Sequence, residues 1–137
     1  MSSGETNLNT LIRQMEPQLM EGDYVFCVAD ENTHITPSAT LGMFHEKEGM
    51  TLILHKRQAD LLGLPYYAIM KWISLTVHSS LEAVGLTAAI SNALARANIS
   101  CNVVAAYFHD HIFIPEGDEE DAMAVLRSLV EGGVREF

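Results

Sequence analysis

Apolar residues fall in two rhythms along the chain. Leu8, Leu11, Ile12, Met15 and Leu19 recur at three- and four-residue intervals, which places them on one face of an N-terminal helix. Asn7 can cap that helix, and Pro17, which has no N–H, is expected to end or kink it near Glu16. The rhythm then shortens. Tyr24 to Ala29 is rich in β-formers and reads as a strand, and the polar run Asp30 to Ser38 as a loop. Two more strands are expected at Ala39 to His45 and Met50 to His55, joined by a turn over Glu46 to Gly49. A short helix from Lys56 to Leu62 follows, with Gly63 placed to close it in a left-handed conformation and Pro65 barring its continuation.

The second half is patterned more strongly. Between Tyr66 and Val77, the residues Trp72, Ser74 and Thr76 alternate with Ile73, Leu75 and Val77, giving a strand with one apolar and one mixed face. Leu86, Ala89, Ile90, Ala93, Leu94 and Ala97 mark a helix that Asn98 can stop. A strand over Asn102 to Phe108, a tight turn at His109-Asp110 and a returning strand over His111 to Ile114 come next. Asp118 caps a last helix whose inner face is Ala122, Val125, Leu126, Leu129 and Val130, with acidic residues in its first turn as the helix dipole favours. Gly132-Gly133 ends it and leaves Val134 to Phe137 as a short strand or tail.

From Lys71 onward the order is β-α-β-β-α with a further strand possible, the arrangement that puts two helices on one face of an antiparallel sheet. The first half runs β-β-β-α and lacks the first helix of that unit. The fold expected is therefore α+β, with two ferredoxin-like units: a degenerate one at residues 1–70 carrying the N-terminal helix, and a fuller one at 71–137.

Composition removes several function classes. The formal net charge is −10, from 8 Lys+Arg against 18 Asp+Glu. Nucleic acid needs a basic footprint, and anionic lipid needs one too, so neither is an expected partner. No apolar run reaches the roughly 20 residues that span a bilayer, and the polar stretch Met1 to Asn9 is not expected to act as a signal peptide. A cytoplasmic location is expected, with Cys27 and Cys101 as reduced thiols in apolar strands. Neither has a neighbouring cation to lower its pKa. No phosphate loop, dinucleotide fingerprint or assignable triad is present, so no cofactor and no catalysis are expected.

The runs Lys71-Trp72-Ile73-Ser74-Leu75-Thr76-Val77-His78-Ser79-Ser80, Ala83-Val84-Gly85-Leu86-Thr87 and Ile99-Ser100-Cys101-Asn102-Val103-Val104 resemble an ACT domain, with Gly85-Leu86 where ACT domains carry a glycine between first strand and first helix. The whole chain is similar to a bacterial family of small tandem ACT proteins, and its second unit to the ACT units of the animal cytosolic arginine sensors. That resemblance implies a non-catalytic regulatory module for a small metabolite, an amino acid by analogy. It implies ligand-binding positions at His78, Ser79, Ser80, Val84, Gly85 and Leu86 after the first strand, and at Tyr107, Phe108, His109 and Asp110 in the hairpin. The sensors have four units where this chain has two, so a full site is expected to draw on a second copy, as a homo-oligomer.

Each candidate has a plainer role beside the functional one. Gly85 has no Cβ and lets a ligand approach backbone, or simply permits a tight turn. A helix start suits a carboxylate, while Ser79-x-x-Glu82 also fits a capping box. Asp110 can receive an ammonium or only form a turn. His78, His109 and His111 would make a metal-dependent enzyme only if His109 and His111 stayed extended on one sheet face, which the expected turn prevents. Trp72, on the face away from the helices, points to sheet-face association or packs under the N-terminal helix. A protein-interaction module without a small ligand is the main alternative function.

Overall fold

The computed structural model describes residues 7–76 and 85–132. These form α1 (Leu8–Gln14), β1 (Glu16–Leu19), β2 (Tyr24–Val28), a single 3₁₀ turn (Pro37–Ala39), β3 (Gly42–His45), β4 (Met50–His55), α2 (Lys56–Leu62), β5 (Met70–Thr76), α3 (Leu86–Arg96), β6 (Asn102–Ala105), β7 (His109–Pro115) and α4 (Glu119–Gly132). The fold is α+β with ferredoxin-like units, as the patterning implied.

Packing groups the chain otherwise than into two sequence halves. Glu21–Lys71 forms one compact unit, and Met1–Met20 joins Trp72–Phe137 in the other. The first is thus inserted into the second. The N-terminal helix, read from the sequence together with residues 1–70, packs with the later residues. Its Ile12 and Met15 are fully buried among Ile73, Leu75, Ile90, Leu94, Ile112, Ile114 and Leu126, and α1 lies against α3 and α4.

In the inserted unit β4 lies between β3 and β2, antiparallel to both, and Tyr24 of β2 pairs with Met70 at the start of β5. Period-two alternation sends Val25, Cys27, Leu52 and Leu54 to one face, where Ala59 of α2 and Leu64 complete the core. Gly63 ends α2 at φ 69°, with Leu64 N–H donating to Ala59 O at 3.0 Å. The helix that a complete unit has between its first two strands is absent; the 3₁₀ turn and the loops around it fill that stretch. The strand expected over Ala39 to His45 is correspondingly short, since residues 37–39 coil and pairing begins at Gly42.

In the discontinuous unit the sheet order is β1-β5-β7-β6. β1 pairs antiparallel with β5 from Glu16↔Thr76 to Leu19↔Ile73. It was expected as the tail of α1, because Leu19 keeps helical spacing. Pro17 decides the matter: the residue before proline is driven to extended conformation, and proline is tolerated on an edge strand. Leu19 is accordingly exposed rather than part of the core. The N-terminal strand thus lies beside β5, where a ferredoxin-like unit carries its last strand. The final strand expected at Val134 to Phe137 falls outside the described residues. Leu86, Ile90 and Leu94 of α3, with Ala122, Met123 and Leu126 of α4, cover one sheet face. Asn98 stops α3 at φ 60°, as its type allows.

Candidate functional site

In an antiparallel sheet of this order β5 and β6 run the same way. The C-terminal end of β5, the start of α3 and the β6–β7 loop therefore share one end of the discontinuous unit. Of the ten candidate residues, Gly85, Leu86, Tyr107, Phe108, His109 and Asp110 belong to those segments. His78, Ser79, Ser80 and Val84 lie outside the described residues, as does the capping box at Ser79 and Glu82.

Gly85 takes φ 93° at the N-cap of α3, and its carbonyl accepts from Ala89 N–H at 2.8 Å. This φ alone favours glycine. A Cβ there would meet Leu8 Cδ2 at 3.3 Å, so the open side of the glycine is held by α1. The turn-forming role of Gly85 is met by this geometry, and the following Leu86 is a core residue at 5% exposure. No acidic side chain occupies the first turn of α3, so nothing on that turn neutralises the helix end.

The hairpin departs from expectation. The turn falls at Tyr107-Phe108, not at His109-Asp110: Ala105 pairs with Asp110, and Ala106 N–H donates to His109 O at 3.0 Å. The core sets this register. Ile112 and Ile114 are fully buried, and a residue two positions earlier on a strand faces the same way, so Asp110 is carried inward. Its exposure is 8%, which makes it the one buried charged side chain among the described residues. Its carboxylate has no hydrogen bond or ion pair there. Burial pushes its pKa up from the ordinary carboxylate value, against a smaller opposing pull from His111. Asp110 is therefore no hairpin-tip turn-former.

His109 and His111 face the other side of the strand, their ring centroids 6.2 Å apart. His109 Nδ1 is buried without a partner. His111 Nδ1 accepts from Trp72 Nε1 at 3.0 Å, and burial, then His109, holds its pKa below the ordinary value. Trp72 also stacks on Phe113, with centroids 6.3 Å apart. It packs on this face and not under α1, whose apolar side is in the opposite core. Among the described residues no group of three or more His, Cys, Asp or Glu is placed to hold a metal ion. Tyr107 and Phe108, at 86% and 75% exposure, meet edge-on with centroids 4.9 Å apart at the loop tip. Cys27 and Cys101 are both free, and burial raises both thiol pKa values.

The described residues thus give ferredoxin-like units with helices on one sheet face, and in the discontinuous unit the start of α3 and the β6–β7 hairpin stand at one end. An ACT-domain profile matches residues 3–71 and a second ACT-domain profile matches residues 68–128. The chain belongs to the ACT-domain family, with two ACT domains in tandem. A protein of unknown function from Vibrio cholerae, described as a possible transport protein, is 41% identical over 90% of this chain and 95% of its own, with a TM-score of 0.78. The aspartate kinase of Clostridium acetobutylicum shares the fold at 10% identity and TM-score 0.62, over 87% of this chain and 34% of its own. A candidate C-terminal regulatory domain of aspartate kinase from Porphyromonas gingivalis does so at 15% identity and TM-score 0.54, over 83% and 95%. No curated protein matches the chain. No described helix is long and apolar enough to cross a membrane.

Proposed function

We propose that the protein is a non-catalytic regulatory module whose discontinuous unit binds a small zwitterion, an amino acid. The ligand carboxylate lies at the start of α3, against Gly85 and Leu86 and the preceding His78, Ser79, Ser80 and Val84. Its ammonium meets Asp110, and Tyr107, Phe108 and His109 form the adjoining wall. The observation that carries this reading is Asp110: a carboxylate at 8% exposure with no hydrogen bond or ion pair among the described residues costs stability unless a cation visits it. N–H groups in the first turn of α3, which carries no acidic side chain, supply the opposite charge. A second copy of the chain closing over this end is part of the proposal.

The test is a thermal-shift screen of the standard amino acids. Ligand at a hundred times its Kd stabilises by about 2.7 kcal/mol, and Asp110→Asn should abolish the response while the variant stays folded. A flat response to every amino acid, confirmed by calorimetry, overturns the reading. The exposed Tyr107–Phe108 pair favours a second one, a protein-interaction module. Capture of a partner that is indifferent to added amino acids and is lost in Tyr107→Ala would select it.

A further inference from the structure

The inserted unit has cavities of its own. One, of about 480 Å³, is lined by Gly22, Asp23, His55, Arg57, Asp60 and Leu61 among others. A second, of about 580 Å³, adds Ser38, Thr40, Leu41 and Gln58 to the shared His55, Arg57 and Leu61. Both volumes lie in the range of small-molecule sites. The second opens beside the 3₁₀ turn that stands where a complete unit has its first helix.

The charged side chains lining the first are balanced in number, two acidic and two basic, whereas Arg57 is the one Lys, Arg, Asp or Glu lining the second. Asp60 is satisfied by Lys56 Nζ at 2.9 Å and by the Tyr66 hydroxyl at 2.7 Å. Asp23 Oδ1 lies 2.7 Å from Lys71 Nζ, an ion pair without a directed hydrogen bond. The two carboxylates are thus matched by two ammonium groups. Arg57 remains, with no ion pair or hydrogen bond among the described residues. His55 shares both cavities with it and is held in place: its ring lies 4.6 Å from that of Tyr24, whose hydroxyl donates to Glu21 O at 2.7 Å. Gly22, at φ 109°, leaves room for both rings, since a Cβ there would stand 3.4 Å from His55 Nδ1 and from the Tyr24 hydroxyl.

We infer that the inserted unit carries a second binding site, for a small carboxylate or phosphate with a short apolar part, centred on Arg57 and His55. The guanidinium presents a planar fork that fits either oxyanion. Gln58 supplies a further donor, as does Ser38, whose hydroxyl lies 3.1 Å from that of Thr36, while Thr40 lines the wall with its own hydroxyl donated to Thr36 O, and the exposed Leu41 and Leu61 face the apolar part. The site is separate from the one proposed at α3 and stands or falls without it.

Titration of the full chain with inorganic phosphate, succinate and isovalerate, followed by amide and Arg57 Nε–H resonances at about 20 mM salt, tests the inference. Saturating shifts at Arg57, His55, Thr40 and Gln58 are expected with at least one probe. Response to phosphate alone assigns phosphate esters, and response to the acids alone assigns carboxylates. Arg57→Gln should weaken binding at least about tenfold, the loss of one charge-assisted contact, with unchanged Leu52 and Leu54 resonances as proof of folding. Arg127→Gln, on the exposed face of α4, should not weaken it. Shifts that fail to saturate with all three probes, or equal binding in both variants, overturn the inference.

Discussion

Asp110→Asn should make the unliganded protein more stable at neutral pH and no more stable in acid. The carboxyl sits on the core face of β7 with Ile112, without a hydrogen bond or ion pair among the described residues, and burial raises its pKa above that of the unfolded chain. The folded protein therefore holds the proton longer than the unfolded one. Wild-type stability falls as pH rises from the unfolded value of about 3.9 to the raised folded value, and the whole penalty persists above it. A fully buried unsatisfied polar group costs about 1–3 kcal/mol, and the Asp110 oxygens, which are not among the fully buried unpartnered atoms, stand at the low end of that range. Asparagine keeps the polarity and loses only the charge, so a gain of about 1 kcal/mol is expected at pH near 7.5. With 137 residues and an unfolding entropy of about 2.1 cal/mol/K per residue, this amounts to about 3–4 °C in Tm. Melts of the dialysed proteins by circular dichroism across the acid-to-neutral range should show curves that coincide near pH 3 and separate as pH rises. A variant less stable at neutral pH, or a gap that does not change with pH, would refute the assignment of Asp110 as an unpaired buried acid.

Gly85→Ala should cost about 1–3 kcal/mol by chemical denaturation, from the left-handed φ together with the contact to Leu8; a neutral result would mean that the turn is not as described. Ile12→Ala should cost about 2–5 kcal/mol, and hydrogen exchange should then quicken in α3 and β7 before it does in β2 and β4, because Ile12 belongs to the core of the discontinuous unit; the reverse order would contradict that grouping. The lowered pKa of His111 makes protonation unfavourable in the folded state, so its contribution to stability should fall as pH drops below about 6.5. Trp72→Phe removes the donor to its Nδ1, costing about 1 kcal/mol, and should move the His111 titration seen by NMR; an unmoved titration would show the bond to be unimportant.

Where local pattern and tertiary packing agreed, elements were legible from sequence. β4 and α2 fall where Met50 to His55 and Lys56 to Leu62 placed them, because alternation, a helix-favouring run and a terminal glycine all pointed one way. β1 was not legible. Four residues with a proline have no periodicity of their own, and their strand exists because β5 offers an open edge. The hairpin misled for a related reason. His109-Asp110 is the more turn-like dipeptide by composition, yet the burial of Ile112 and Ile114 fixes the register and moves the loop onto two aromatic residues. That shift turned Asp110 from a surface residue into the least expected group in the core. The alternation Asp110-Ile112-Ile114 was in the sequence, and giving it precedence over turn propensity would have found it. Of the other candidates Gly85 was placed correctly at the head of α3, but its partner, Leu8, lies in a segment that nothing local connects to it.

The pairing of Glu16–Leu19 with Ile73–Thr76 also has a consequence for how the molecule is made. On the ribosome the N-terminal strand emerges long before its mate, and it must wait, unpaired, while the whole of Glu21–Lys71 is synthesised. Early collapse of that intervening segment would shorten the effective separation and lower the entropic cost of closing so long a loop. Cutting the gene at residue 70 to express each half alone would therefore deprive the later half of an edge strand and of a helix that fills its interior.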